Sequence, residues 1–222
     1  MKNLATYTTL AQMEANVRSQ TGTLSQQQTL LLDPMLVDII HDAIIRTRAL
    51  AGPLLDSAYM TEIGVQLSET PYTIDISGID IWDINKISLD DSNNGPIPLY
   101  TPAKFSQMKR NYNTSPQALF GTVVNTEVKT NVKALAIKLF RGSEIYLGML
   151  TLTYPRIPRY VSNEADLLDL PEPYIPLATD LATIKVCEKL NKPVPDLVAK
   201  RAGEYTTSIL SQIMIQIPTR AK

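Results

Sequence analysis

Apolar positions recur at helical spacing at both ends of the chain and alternate in its middle. Near the N-terminus, Thr9 followed three residues later by Gln12 forms a capping-box pattern. Leu10, Met13 and Val17 then recur about one turn apart until Gly22 stops the run. Asp33-Pro34 is a stronger start, an N-cap acid before a proline at the first helical position. Leu36, Ile39, Ile40, Ala43, Thr47 and Leu50 line one face, and Gly52-Pro53 ends or kinks the helix, with Leu54–Met60 as its continuation. From Glu62 the period becomes two. Ile63, Val65 and Leu67 alternate with Gly64, Gln66 and Ser68, and Tyr72, Ile74 and Ile76 follow the Glu69-Thr70-Pro71 turn, which predicts a hairpin. Ile79 to Leu89 continue the strand-like composition up to the loop Asp90–Gly95.

A second β block, Ala134–Phe140 and Ile145–Tyr154, is joined by Arg141-Gly142-Ser143-Glu144, which also reads as a hairpin turn. Thr101–Asn113 between the blocks predicts a short helix. After a proline-rich connector, Leu170–Pro176, two helices close the chain. Leu177, Leu181 and Ile184 mark the first. Val198, Ala202, Tyr205, Ile209 and Ile213 mark the second, with Leu210, Met214 and Ile217 widening its stripe. The fold expected is α+β: a helical core from the N- and C-terminal helices, carrying a central antiparallel β domain. The boundaries are 1–60, 61–160 and 161–222.

Composition narrows the class without naming a function. Of 222 residues, 44% are hydrophobic and 19% charged, which suits a folded domain and not a disordered tail. One cysteine and one histidine exclude a disulfide framework and any Cys/His zinc site within a subunit. No apolar run approaches the ~20 residues that span a bilayer, and the start Met1–Thr6 lacks the apolar stretch of a secretory signal. A reducing compartment and no membrane partner are therefore expected. The net charge of −1 hides alternating blocks: residues 61–100 carry seven acids and one lysine, residues 101–160 nine bases and two acids. Residues 161–180 carry five acids and no base. Such blocks are either plain solvated surface or opposed faces that meet between subunits, or one face that meets an acidic partner.

Catalytic signatures are missing. The chain has no phosphate-cradling glycine loop, no Gly-x-Ser-x-Gly elbow and no His-Glu-x-x-His. His41 and Asp42, adjacent on a helix, diverge by about 100°, so they do not orient one another, and His41 reads as polar helix surface. Asp90–Gly95 resembles the start of a calcium loop, but Thr101 stands where the bidentate glutamate belongs, and a plain turn explains the same residues. Asp80 and Asp83 flank Trp82, too little for a glycosidase cleft. No cofactor and no metal are expected. The basic middle, with Phe105, Tyr112, Phe120 and Tyr146 interleaved, could stack on nucleic acid; the acidic whole suits passage of DNA without a grip.

In this order the elements resemble the head–tail adaptor (connector) proteins of tailed bacteriophages. Three stretches carry the resemblance. They are Thr9-Leu10-Ala11-Gln12 leading to the helix after Asp33; Pro71–Ile76 running through Ile84–Leu89 to Ile97-Pro98-Leu99 and Lys104-Phe105; and Leu150–Pro158 followed by Asp169-Leu170-Pro171-Glu172-Pro173-Tyr174 and two helices containing Glu204-Tyr205. The chain departs from the pattern at Ser25–Leu32, rich in Gln and Leu, and around Thr114–Thr130, an insertion or arm. The resemblance implies a structural, non-enzymatic virion protein of the neck, assembled in the host cytoplasm. It would form a homo-oligomeric ring, usually of twelve subunits, below the portal protein, extend the DNA channel, and hold the tail or a second ring. The alternative is a glycan- or receptor-binding module of a tail or surface fibre. Interface candidates are Lys133 and Lys138 in the basic block, and a C-terminal docking segment made of Ile213, Met214, Ile215 and Ile217 with Arg220 and Lys222 as a basic rim.

Overall fold

A computed structural model describes residues 8–23, 33–67, 72–127 and 133–216. In chain order they form α1 (Leu10–Thr21), α2 (Asp33–Ala51), the single turn α3 (Asp56–Tyr59), β1 (Met60–Val65), β2 (Thr73–Asp75), β3 (Ser88–Asp91) and β4 (Gly95–Ile97). Then come β5 (Leu99–Tyr100), α4 (Pro102–Asn111), β6 (Leu119–Glu127), β7 (Lys133–Arg141), β8 (Leu150–Pro155), α5 (Ile175–Lys189) and α6 (Asp196–Gln216). The fold is α+β, with N- and C-terminal helices flanking a central region of sheet. It divides into two compact units. The chain up to Ala58 and from Pro158 onward makes one, and Tyr59–Ile157 makes the other.

In the helical unit, α1 begins with the capping box in both directions: the Gln12 N–H donates to Thr9 Oγ1 at 3.3 Å, and the Thr9 N–H donates to Gln12 Oε1 at 2.9 Å. It ends at Gly22, whose φ of 66° is the left-handed conformation glycine adopts without a Cβ penalty. α5 packs against α1, α2 and α6 and so is covered on several sides. This corrects the expected stripe. Leu177 is buried as expected, but Leu181 and Ile184 are only half-buried, while Ala178, Thr179, Asp180, Ala182, Thr183, Val186 and Cys187 are buried. Small residues sit where three neighbours approach, so a stripe of large side chains does not mark the core face of a central helix. α2 buries Leu36, Ile39, Ile40, Ala43, Ile44, Thr47 and Ala51, with Leu50 half-buried. Its fully buried Arg48 donates to the Gly52 carbonyl (2.7 Å) and to Asp56 Oδ1 (2.8 Å), closing the helix end where Gly52-Pro53 breaks it. The segment after that break is a 3-10 turn and α3, with β1 starting already at Met60.

The β unit is two four-stranded sheets around one core. The first has the order β1-β8-β3-β4 and the second β2-β7-β6-β5, every pair antiparallel except β5 with β6. Ile74, Ile76, Ile137 and Leu139 from the second sheet side meet Ile87, Leu89, Ile97, Leu150, Leu152 and Tyr154. Both expected hairpins are corrected. β1 pairs with β8, and β2 pairs with β7 in the other sheet, so the chain between them changes sheets. Likewise β7 and β8 lie in different sheets. The turn at Arg141–Glu144 does form, with the Ile145 N–H on the Gly142 carbonyl at 3.2 Å, but a strap crosses the end of the sandwich before β8 begins. Alternation specifies which face of a strand is buried and leaves its neighbour open. β6 instead pairs antiparallel with β7, nine residues each, and β6 lies in the stretch expected to be an insertion or arm.

Candidate functional site

The basic and aromatic residues of the middle do not make a stacking platform. Phe120 is buried on the outer side of the second sheet, stacked on Phe140 at 4.9 Å, with Phe105 of α4 edge-on at 5.5 Å and Tyr100 and Tyr112 around it. These rings anchor α4 against β5 and β6, and only Tyr112 and Tyr146 of the expected set are exposed.

Charged residues occur on both sheets. Glu62 on β1 and Asp90 on β3 lie on the non-core face of the first sheet. Lys138 is exposed on the outer face of β7, and Lys104, Lys109 and Arg110 are exposed on α4, which covers the second sheet. Asp75, on the edge of the second sheet, is tied up by the Ser77 hydroxyl (2.6 Å) and N–H (2.9 Å), which hold its carboxyl below the usual range. Lys133 opens β7 five residues before Lys138; its side chain lies outside the described residues, so the structure does not join the two into one site.

The C-terminal candidates divide. Ile213 is half-buried, while Met214 and Ile215 are 75% and 83% exposed, and Leu210 and Tyr205 are exposed as well, against the expected stripe. α6 packs through Val198, Ala202 and Ile209, and from Tyr205 to Gln216 it carries no charged residue. Ile217, Arg220 and Lys222 lie outside the described residues. The helix is pinned upstream: the buried Asp180 of α5 accepts from Arg201 Nη2 at 2.5 Å and Nε at 3.2 Å.

His41 is not simple helix surface. It is half-buried, its ring meets Tyr160 edge-on at 4.8 Å, and its Nδ1 is buried without a hydrogen-bond partner among the described residues. The Tyr160 hydroxyl donates to Asp38 Oδ1 at 2.7 Å. Burial pushes the imidazole pKa below 6.5 against the opposing pull of Asp38, Asp42 and Asp169.

The calcium-like loop has a different task. It closes the β3–β4 hairpin, and Asp91, buried, uses its carboxylate inside the protein: Oδ1 accepts from the Gly148 N–H at 2.6 Å and Oδ2 from Asn94 Nδ2. Among the described residues no group of three or more His, Cys, Asp or Glu side chains could hold a metal. The turn is cross-linked further to the strap before β8. The Ser92 N–H donates to the Met149 carbonyl (3.0 Å), the Met149 N–H to Ser92 Oγ (2.9 Å), and Asn93 and Asn94 both donate to the Tyr146 carbonyl (3.3 and 3.0 Å). A Cβ on Gly148 would stand 2.1 Å from Ser92 Oγ, so only glycine permits the approach. On this rigid base Tyr146 and Met149 are 77% and 71% exposed. Reading 145–154 as one strand missed this; Gly148 inside the β-forming run was the signal.

A pocket of about 270 Å³ opens elsewhere on the β unit, lined by eight uncharged residues, among them Ile84, Ile87, Leu99, Tyr100 and Val123. Another, about 310 Å³, lies on the helical unit beside the Asp180–Arg201 pair. Among the described residues no helix is long and apolar enough to cross a membrane. The chain matches no protein-family model and no curated protein.

Proposed function

We propose that the chain is a structural virion subunit, a head–tail adaptor that assembles as a ring below the portal protein, extends the DNA channel and connects to the tail. The observation that carries this reading is the far end of α6, where Leu210, Met214 and Ile215 stand exposed on a unit whose core closes without them. An uncharged apolar surface at a helix end is a cost in water and a gain against a partner. The sequence resemblance supplies the identity of that partner, the portal. A receptor- or glycan-binding module is less favoured, because the rings of the β unit gather on Phe120 under α4 instead of lining a groove.

Light scattering after gel filtration, on the chain alone and with purified portal protein, tests the reading. A discrete oligomer, or a stable complex with the portal ring, is expected. Deleting residues 212–222 should abolish portal attachment while the thermal melt stays cooperative, since Val198, Ala202, Ile209 and the Asp180–Arg201 pair all lie upstream. A chain that stays monomeric alone and with portal refutes it.

A further inference from the structure

The loop 159–169 is held at two places within the helical unit. At its far end the hold is backbone: the Leu10 and Ala11 N–H groups of α1 donate to the carbonyls of Asp166 (3.0 Å) and Glu164 (3.1 Å), and the Leu168 N–H donates to the Thr8 carbonyl (3.1 Å). Leu168 is buried there as well. At its near end the loop rests on α2 through side chains. The Tyr160 hydroxyl donates to Asp38 Oδ1 at 2.7 Å, and the Tyr160 ring lies edge-on to His41. The Arg159 N–H closes the loop on its own Asp169 Oδ2 at 2.6 Å. One end is therefore fixed by a ladder, and the other hangs on one hydroxyl and one ring.

We propose that Asp38, His41 and Tyr160 form a pH-sensitive latch. With the imidazole neutral, Asp38 holds the Tyr160 hydroxyl and the loop is closed; protonation of His41 transfers Asp38 to the imidazolium and frees Tyr160 from α2. The buried Nδ1 carries the argument. A neutral ring with its hydrogen on Nε2 leaves only a lone pair at Nδ1, whereas the imidazolium places an N–H and part of a charge there, where no partner stands among the described residues. Lifting Tyr160 opens that atom to water. It also releases the carboxylate best placed to take the new donor, because Asp38 precedes His41 by three residues on α2, the spacing at which helix side chains pair. The exchange gives Asp38 a cationic donor in place of a neutral one. The other charges facing His41 are already engaged. Asp42 on α2 pairs with Arg46 at 3.0 Å, and Asp169 of the loop takes the Arg159 N–H. Burial outweighs the upward pull of Asp38, Asp42 and Asp169 on the imidazole, as a closed state that resists the charge requires.

The full chain tests this by NMR, where the single histidine gives one imidazole signal to titrate, together with amide exchange corrected for the intrinsic effect of pH. As His41 titrates between pH 7.5 and 5.0, the ring-to-ring contact of His41 with Tyr160 should fade. Exchange of the Arg159 N–H should quicken about tenfold or more, the size of a lost hydrogen bond to a charged group, while the amides of α5 stay protected. Tyr160→Phe should exchange at that faster rate already at pH 7.5. By reciprocity it should also move the His41 midpoint up toward 6.5. His41→Gln should hold the loop closed across the same range. A ring contact and an Arg159 protection that persist below the His41 midpoint overturn the latch, since Asp38 then serves both donors at once. An equal rise in exchange in His41→Gln assigns the opening to carboxylates and overturns it too. So does a loss of protection that spreads through α5, which is global unfolding and not the release of one loop.

Discussion

The helical and β units place their buried polar groups differently. In the helical unit ions and hydroxyls sit within the packed core: Arg48, Thr47, Thr179, Thr183 and the Asp180–Arg201 pair, each bonded to a neighbouring helix, a carbonyl or a carboxylate. The core of the β unit is aliphatic apart from Tyr154, and the one buried carboxylate among its described residues, Asp91, lies at the rim, holding two loops together. Of the groups in the helical core, the Asp180–Arg201 pair ties α5 to α6, while the threonines bond carbonyls of their own helices. The polar contact at the sandwich rim shapes a surface. Removing one should therefore cost stability in the first unit and organisation in the second.

The largest effect is expected from Arg201→Ala. It leaves Asp180, 2% exposed, buried without its cation, and breaking such a pair costs about 3 kcal/mol, the low end because the guanidinium side is 38% exposed and water can enter. Urea denaturation reads it; a change below about 1 kcal/mol would mean that the pair does not tie α5 to α6. Asp91→Ala comes next. It strands the Gly148 N–H and releases Asn94, at about 1–3 kcal/mol, and hydrogen exchange at Gly148 and Met149 should accelerate while the strands stay protected. Asp91→Asn, which keeps an acceptor, should fall between. Equal loss of protection across β3 and β8 would make Asp91 a core residue and erase the contrast.

His41 offers the smallest test. Its folded pKa lies below 6.5, so as pH falls through 6.5 the unfolded chain takes up the proton first and stability declines, levelling once the folded imidazole is also protonated. Melting temperature should therefore drop from pH 7.5 to 5.5, and His41→Gln should flatten that slope. A slope unchanged in the variant would assign the dependence to other groups.

Local signals were readable in the chain itself. The Thr9–Gln12 capping box, the Asp33-Pro34 start, Gly22, the helix at 102–111 and the order helices–β–helices all depend on residues within a turn or two of each other. The exposure of Met214 and Ile215 was half visible, as more apolar surface than a chain end needs. Tertiary structure decided the rest. Which strands pair rests on contacts as distant as Met60 with Pro155, and alternation carries no address for the partner. That α5 is central and that Tyr146 stands on a rigid strap held by Asp91 follow from packing between segments remote in sequence. Periodicity records which side of an element meets an apolar core; only closure of the fold determines which neighbour supplies it.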